Sequence, residues 1–172
     1  DHFKKISSNK IINYCADLND LNTCNQILDE YFSEFDSLDY VFFFQGYMNK
    51  ETLNYDEIIK TININALTTL ISINNILSMT DKFDKLKIIV ISSVAGDRGK
   101  KSTLLYGSTK SLISTYLEGL MQQYSKSNIS IYDLKLGPTK TKMTQNLKQG
   151  FLYSSPKYIT SKIYKIIQKK NS

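Results

Sequence analysis

Two uninterrupted apolar runs, LDYVFFFQG (residues 38–46) and LKIIVISS (86–93), constrain this chain more than any other feature. A strand with one wet face alternates apolar and polar residues, whereas a run apolar at nearly every position suits a strand covered on both faces, as in a parallel sheet. Parallel strands cannot be joined by a tight turn and need a crossover. The 25 residues YDEIIKTININALTTLISINNILSM (55–79) supply one, with apolar residues at helical spacing. The same alternation runs along the chain. KIINYCADL (10–18) reads as a strand ending in a loop. Residues 19–35 read as a helix through Leu21, Cys24, Ile27, Leu28, Tyr31, Phe32 and Phe35, with Asp20 or Asn19 as its cap. YGSTKSLISTYLEGLMQQYSK (106–126) reads as a helix. ISIYDLKLG (129–137) reads as a strand broken by Gly137-Pro138. Residues 155–170 read as an amphipathic helix with Ile159, Ile163, Ile166 and Ile167 on one face. Strand and helix in turn imply an α/β protein, a doubly wound parallel sheet with right-handed crossovers.

At 172 residues the chain has the length of one domain and can bury a core; 41% of it is apolar. No run of about 18 apolar residues is present to span a membrane. The opening DHFKKISSNK is polar and unlike a signal peptide, and the first residue is not methionine, so a fragment of a longer protein is expected. Cys15 and Cys24 suit a reducing, cytoplasmic setting. With one histidine, His2, and no ligand cluster, no metal site is expected. The formal charge of +6 is concentrated toward the C-terminal end, in KTKMTQNLKQ and SKIYKIIQKK. A basic face can attract phosphate or anionic lipid headgroups, so peripheral membrane contact stands beside the plainer reading of a solvated helix surface. No nucleic-acid motif accompanies the charge, and no nucleic-acid partner is expected.

The chemistry lies in IVISSVAGDRGKKSTLLYGSTK (89–110). In an open parallel sheet, ligands bind beyond the carboxyl ends of the strands, where Ser92 and Ser93 stand. Tyr106 and Lys110 are four apart in a helix and share a face. A nearby ammonium favours the phenolate and lowers a phenol pKa of about 10. Such a tyrosine can give a proton to a carbonyl oxygen near neutral pH, and a serine hydroxyl can hold the same oxygen.

A serine thirteen residues before a Y-x-x-x-K pair, at the end of a β-branched strand, resembles the catalytic core of the short-chain dehydrogenase/reductase family. The resemblance implies a Rossmann-like catalytic domain over residues 1–172, an NAD or NADP cofactor, and Ser93, Tyr106 and Lys110 as catalytic residues; Ser92 is then an ordinary strand-end residue. It extends to Gly46, in the place of the glycine of the family's N-N-A-G, and to LGPTKTKMT, where Gly137 and Thr141 match a loop over the nicotinamide carboxamide. It places Asp17, with Leu18, at the adenine. For the family's catalytic asparagine, Asn63 is preferred for the small and apolar residues that follow it, Ala66 and Leu70; Asn65 has the commoner spacing to Ser93. The wording SSVAGDRG, YGSTK and YLEGL is similar to reductases of the decaprenylphosphoryl-ribose epimerase type. Those act on a 2-keto pentose linked to a polyprenyl phosphate in cell-envelope polysaccharide synthesis, which implies a small-molecule or lipid-linked sugar substrate.

The family's phosphate loop, T-G-x-x-x-G-x-G, has no counterpart, because Gly46 is the first glycine. The resemblance therefore implies that the first βαβ unit is absent, and this stretch alone is expected to be inactive. The family also implies a homo-oligomer, built through the helix carrying the tyrosine and the one before it. Two other readings remain open: a non-catalytic binding module on the same fold, and a nucleotide-sugar epimerase or dehydratase, which also uses Y-x-x-x-K.

Overall fold

The apolar runs become parallel strands. The computed structural model describes residues 13–34, 38–48, 54–79, 83–148 and 150–169. Its strands β1 (Tyr40–Phe43), β2 (Leu86–Ser93) and β3 (Ile129–Leu136) form one parallel sheet in the order β1-β2-β3. Phe43 lies opposite Val90 and Ser93 opposite Leu136, so the carboxyl ends of the strands open at one edge.

The helices start where the local chemistry allows. Helix α1 (Leu21–Glu34) is capped by Asp20, whose Oδ1 accepts the backbone N–H groups of Asn22 (3.1 Å) and Thr23 (3.2 Å). Helix α2 (Tyr55–Ile62) is capped by Asn54, whose side chain accepts the Glu57 N–H at 2.9 Å. Asp56 and Glu57 put negative charge on its positive end. Helix α3 (Thr68–Leu77) continues α2 through one π-helical turn, Asn63–Leu67, where the Thr68 N–H reaches the Asn63 carbonyl. Helices α4 (Leu104–Gln123) and α5 (Pro156–Lys169) follow β2 and β3.

The sheet separates two layers. Val41, Phe43, Leu86, Ile88, Val90, Ile129 and Ile131 face α3 and α4 and pack with Ile73, Ile76, Ile113 and Leu117. The opposite face carries Ile89 and Tyr132, covered by Ile163 and Ile167 of α5. The two faces account for the continuous apolar runs.

One expected strand, 10–18, is not seen among the described residues. Residues 10–12 lie outside the described residues, and residues 13–18 are irregular, ending in a turn closed by the Asp20 N–H on the Asp17 carbonyl (2.9 Å). A strand exists by pairing its backbone groups, and no described strand pairs with this segment.

Candidate active site

Ser93 ends β2, and its Oγ accepts the Ala95 N–H at 3.1 Å, which starts the short turn Val94–Gly96. That turn meets α4 where there is no room for side chains. A Cβ on Gly107 would lie 2.6 Å from the Ala95 carbonyl oxygen, and one on Gly96 would lie 2.7 Å from the Ser111 nitrogen. The two glycines let α4 close on the end of β2, which brings Tyr106 and Ser93 to the wall of one cavity.

Lys110, one turn further, is 4% exposed. Its Nζ donates to the Gln45 carbonyl (3.1 Å) and the Ile91 carbonyl (3.2 Å), joining the segments that continue β1 and complete β2. It stands 5.8 Å from the centre of the Tyr106 ring. Burial pushes the Lys110 pKa down to about 8, while the Asp133 carboxylate opposes the shift. Burial pushes the Tyr106 phenol above its ordinary value, and the Ser93 hydroxyl works against that rise. Here the geometry departs from the expected acidification of Tyr106 by Lys110: desolvation outweighs any help from an ammonium that is itself desolvated and bonded to two carbonyls.

Ser93, Tyr106, Lys110, Gly46, Gly137 and Thr141 share one cavity of about 450 Å³ at the carboxyl edge of the sheet. Thr141 also caps the short turn Lys142–Thr144. Asp17, Leu18 and Asn63 do not line it. They form a second group, where the loop before α1 meets the π-helical turn. Asn63 Nδ2 donates to Asn19 Oδ1 at 3.1 Å, the Leu18 carbonyl accepts from Thr68 Oγ1 at 2.9 Å, and the Asp17 carboxylate accepts the Asn19 N–H at 2.9 Å.

The two candidate asparagines, Asn63 and Asn65, stand in different surroundings. Asn65 is 1% exposed. Its Oδ1 accepts the Tyr47 N–H (2.6 Å), and its Nδ2 donates to the Tyr47 carbonyl (2.8 Å) and to Thr109 Oγ1 (3.1 Å), beside Lys110. The π-helical turn around it sets which asparagine points inward, and such turns are frequent at functional sites; the spacing to Ser93 was the signal that favoured Asn65. Ser92 is buried too, and its hydroxyl donates to the Asp133 carboxylate. Sequence reading missed Asp133 because nothing on one strand foretells its neighbour's register. A broader, more open hollow of about 800 Å³ lies on the outer side of α4 and touches none of Ser93, Tyr106 and Lys110.

A family model described as short chain dehydrogenase matches residues 1–151. Among solved structures, the chain is similar to ElxO with NADP bound, at 26% identity and a TM-score of 0.69 over 77% of this chain and 55% of that one. It is also similar to a 3-oxoacyl-[acyl-carrier protein] reductase from Brucella melitensis in complex with NAD, at 18% identity and TM-score 0.75 over 85% and 61%. A short chain dehydrogenase from Salmonella enterica serovar Typhi matches at 16% identity and TM-score 0.80 over 93% and 70%. The last two likenesses speak to the fold. The chain spans 55% of the length of ElxO and 61% of that of the Brucella reductase. With a match across most of its residues, and with the serine, tyrosine and lysine gathered in one cavity, this chain belongs to the short chain dehydrogenase family.

Proposed function

We propose that this chain carries the acid–base site of an NAD- or NADP-dependent oxidoreductase that reduces a keto group, or oxidises the matching alcohol, on a lipid-linked or polysaccharide-precursor sugar. The observation that carries the reading is that Ser93, Tyr106 and buried Lys110 line one cavity, with the Lys110 Nζ 5.8 Å from the centre of the Tyr106 ring. Tyr106 gives its proton to the keto oxygen, and the Ser93 hydroxyl donates a second hydrogen bond to that oxygen. Lys110, while charged, favours the phenolate left behind. Asn65 takes the role of the catalytic asparagine, holding Tyr47 and Thr109 beside the lysine.

The residues present fit the nicotinamide end of the cofactor. An ammonium has three N–H groups; Lys110 uses two on carbonyls, leaving one for ribose hydroxyls. A side chain at Gly46 would stand 3.4 Å from Met143 Cε and 3.8 Å from Lys110 Nζ, so glycine keeps that wall open. Gly137 and Thr141 would cover the carboxamide, and Asp17 with Leu18 would meet the adenine. When bound, the nicotinamide supplies the hydride. Ser102, Thr139 and Thr141 bring hydroxyls to the cavity and Lys100 a charge, which supports a polyhydroxy, phosphate-bearing substrate in cell-envelope polysaccharide synthesis. Homo-oligomerisation is assigned to the outer sides of α3 and α4, where Leu70, Leu112 and Tyr116 line the open hollow.

The test is Tyr106→Phe in the longest natural polypeptide that contains this chain. Reduction of a 2-keto pentose should fall by at least about 10²-fold, while NADH and NADPH titrations followed by nicotinamide fluorescence stay unchanged. Turnover that survives the change removes Tyr106 from the role.

A further inference from the structure

The loop between β3 and α5 carries a surface unlike the rest of the molecule. Its neck is closed by a bridge between Thr139 and Ser154, with the Lys140 N–H on the Ser154 carbonyl and the Ser154 N–H on the Pro138 carbonyl, both at 3.0 Å. Between these bonds the chain makes a closed excursion whose inner side lines the active-site cavity. Its outer side holds Phe151, 97% exposed, and Leu152, 65% exposed, with Leu147 half in the cavity and half in solvent. Lys140, Lys142 and Lys148 stand exposed on the same excursion. The charge there has one sign: residues 134–172 hold nine lysines and no Asp or Glu, whereas residues 1–133 hold 13 basic and 16 acidic residues. The whole positive excess of the chain comes from the segment that makes this loop and α5.

We propose that residues 140–148 and 150–153 dock the protein on an anionic lipid surface, with Phe151 and Leu152 entering the boundary between headgroups and acyl chains and Lys140, Lys142 and Lys148 meeting lipid phosphates. A cluster of lysines around an exposed apolar tip fits that surface: the lysines draw it in, and the tip holds it by burying apolar area. Leu147 and Leu152 have no π-face, so the tip suits acyl chains better than stacked bases. The contact is peripheral, since no helix among the described residues is long and apolar enough to cross a membrane. It goes beyond the reaction, because the bilayer is a partner of the protein and not its substrate. It also sets the cavity mouth beside the membrane, where a head group can be reached while its tail stays in lipid.

The chain has no tryptophan, so Phe151→Trp adds a single fluorescent probe at an exposed position. The full 172-residue chain is mixed with vesicles of phosphatidylcholine alone or of phosphatidylcholine with phosphatidylglycerol, and binding is read by flotation. Binding should require phosphatidylglycerol and weaken with salt. It should fall by about tenfold or more when Lys140, Lys142 and Lys148 are all changed to Glu. The indole emission should shift to the blue and be quenched by brominated acyl chains. Absence of binding to both vesicles, or an indole that stays unquenched, overturns the proposal. So does tighter binding to an oligonucleotide than to anionic vesicles, which assigns the lysines to nucleic acid. None of these readouts needs turnover: failure here leaves the acid–base reading intact, and a failed Tyr106→Phe test leaves the docking intact.

Discussion

The two faces of the sheet are built to different standards. On the side of α3 and α4, Ile73, Leu86, Ile88 and Leu117 are fully buried, and the core runs without interruption from Phe43 on β1 to Ile131 on β3. On the side of α5, Ile89, Tyr132 and Ile167 are buried over β2 and β3, while Tyr40, Phe42 and Phe44 of the neighbouring segment stay exposed. The buried polar groups follow the better face: Asn65, Thr109, Lys110 and Ser92 all belong to it. An ammonium and an asparagine kept from water need fixed partners, and only a close-packed layer holds those partners still. The proposed acid–base site is thus an outgrowth of one core, and the other face contributes little to it.

The largest expected effect tests that asymmetry through stability. Leu117→Ala, in the centre of the α4 layer, should cost about 2–5 kcal/mol, because the removed atoms leave a cavity that close neighbours cannot fill. Ile167→Ala removes a similar volume from α5, where few partners meet it and the helix can settle inward; it should cost about 2 kcal/mol or less. Urea denaturation followed by circular dichroism measures both. Equal losses would mean that the two faces are equally well packed.

The next effect moves from the layer to the joint between β2 and α4. Gly107→Ala forces the helix away from the Ala95 carbonyl, 2.6 Å from the new Cβ. Overpacking of this kind costs about 1–3 kcal/mol, and a shift of about 1 Å at the Ser93–Tyr106 pair should lower the rate about 10²-fold. Gly119 lies on the same helix with nothing within 4 Å, so Gly119→Ala should stabilise by about 0.5–1 kcal/mol and leave the rate alone. If both substitutions behave alike, the glycine contact does not set the site.

The difference between the faces also explains what the sequence made legible. Strands and helices read from periodicity, since apolar spacing reports burial directly, and Ser93, Tyr106 and Lys110 read from a strand end and a helical repeat. The choice between Asn63 and Asn65 turned on a single π-helical turn, which rotates a helix without marking its apolar pattern. The Ser92–Asp133 hydrogen bond depends on the register between two strands. Residues 10–18 read as a strand ending in a loop because their composition is right, but a strand is a property of a pair, and the described part, 13–18, pairs with no described strand. The shared cavity of Gly46 and Thr141 followed from the matched motifs; the second cluster around Asn19 had no local signal.

A smaller effect concerns the charge behind the tyrosine. Burial pushes the Lys110 pKa down to about 8, from 10.5 for an ordinary lysine. Between those values the unfolded chain holds a proton that the folded chain has released, so stability rises with pH across that window, and the gain is absent below about pH 8. The ammonium proposed to assist Tyr106 runs the other way, present below about pH 8 and lost above it. Asp133 on β3 holds the lysine pKa up. Asp133→Asn should therefore move the Lys110 midpoint lower, as read from its ¹³Cε chemical shift during titration; an unchanged midpoint would remove Asp133 from the electrostatics of the site.

The smallest effect separates two adjacent residues of β1. Phe43 points into the α3–α4 core, while Phe42 stands 41% exposed in a ladder of rings, 6.3 Å from Tyr40 and 5.7 Å from Phe44. Stacked pairs contribute about 0.5–1.5 kcal/mol beyond their buried area, and threonine keeps the β preference of the strand. Phe42→Thr should thus cost about 1 kcal/mol or less in urea denaturation, well below Phe43→Ala, at about 3–5 kcal/mol. The outer edge of β1 pairs with no described strand, so its aromatic ladder is a surface for self-association. Light scattering should then report less association for Phe42→Thr than for the unchanged chain. A large stability loss from Phe42→Thr would show that the exposed ladder is part of a core, and the contrast between the two faces would have to be redrawn.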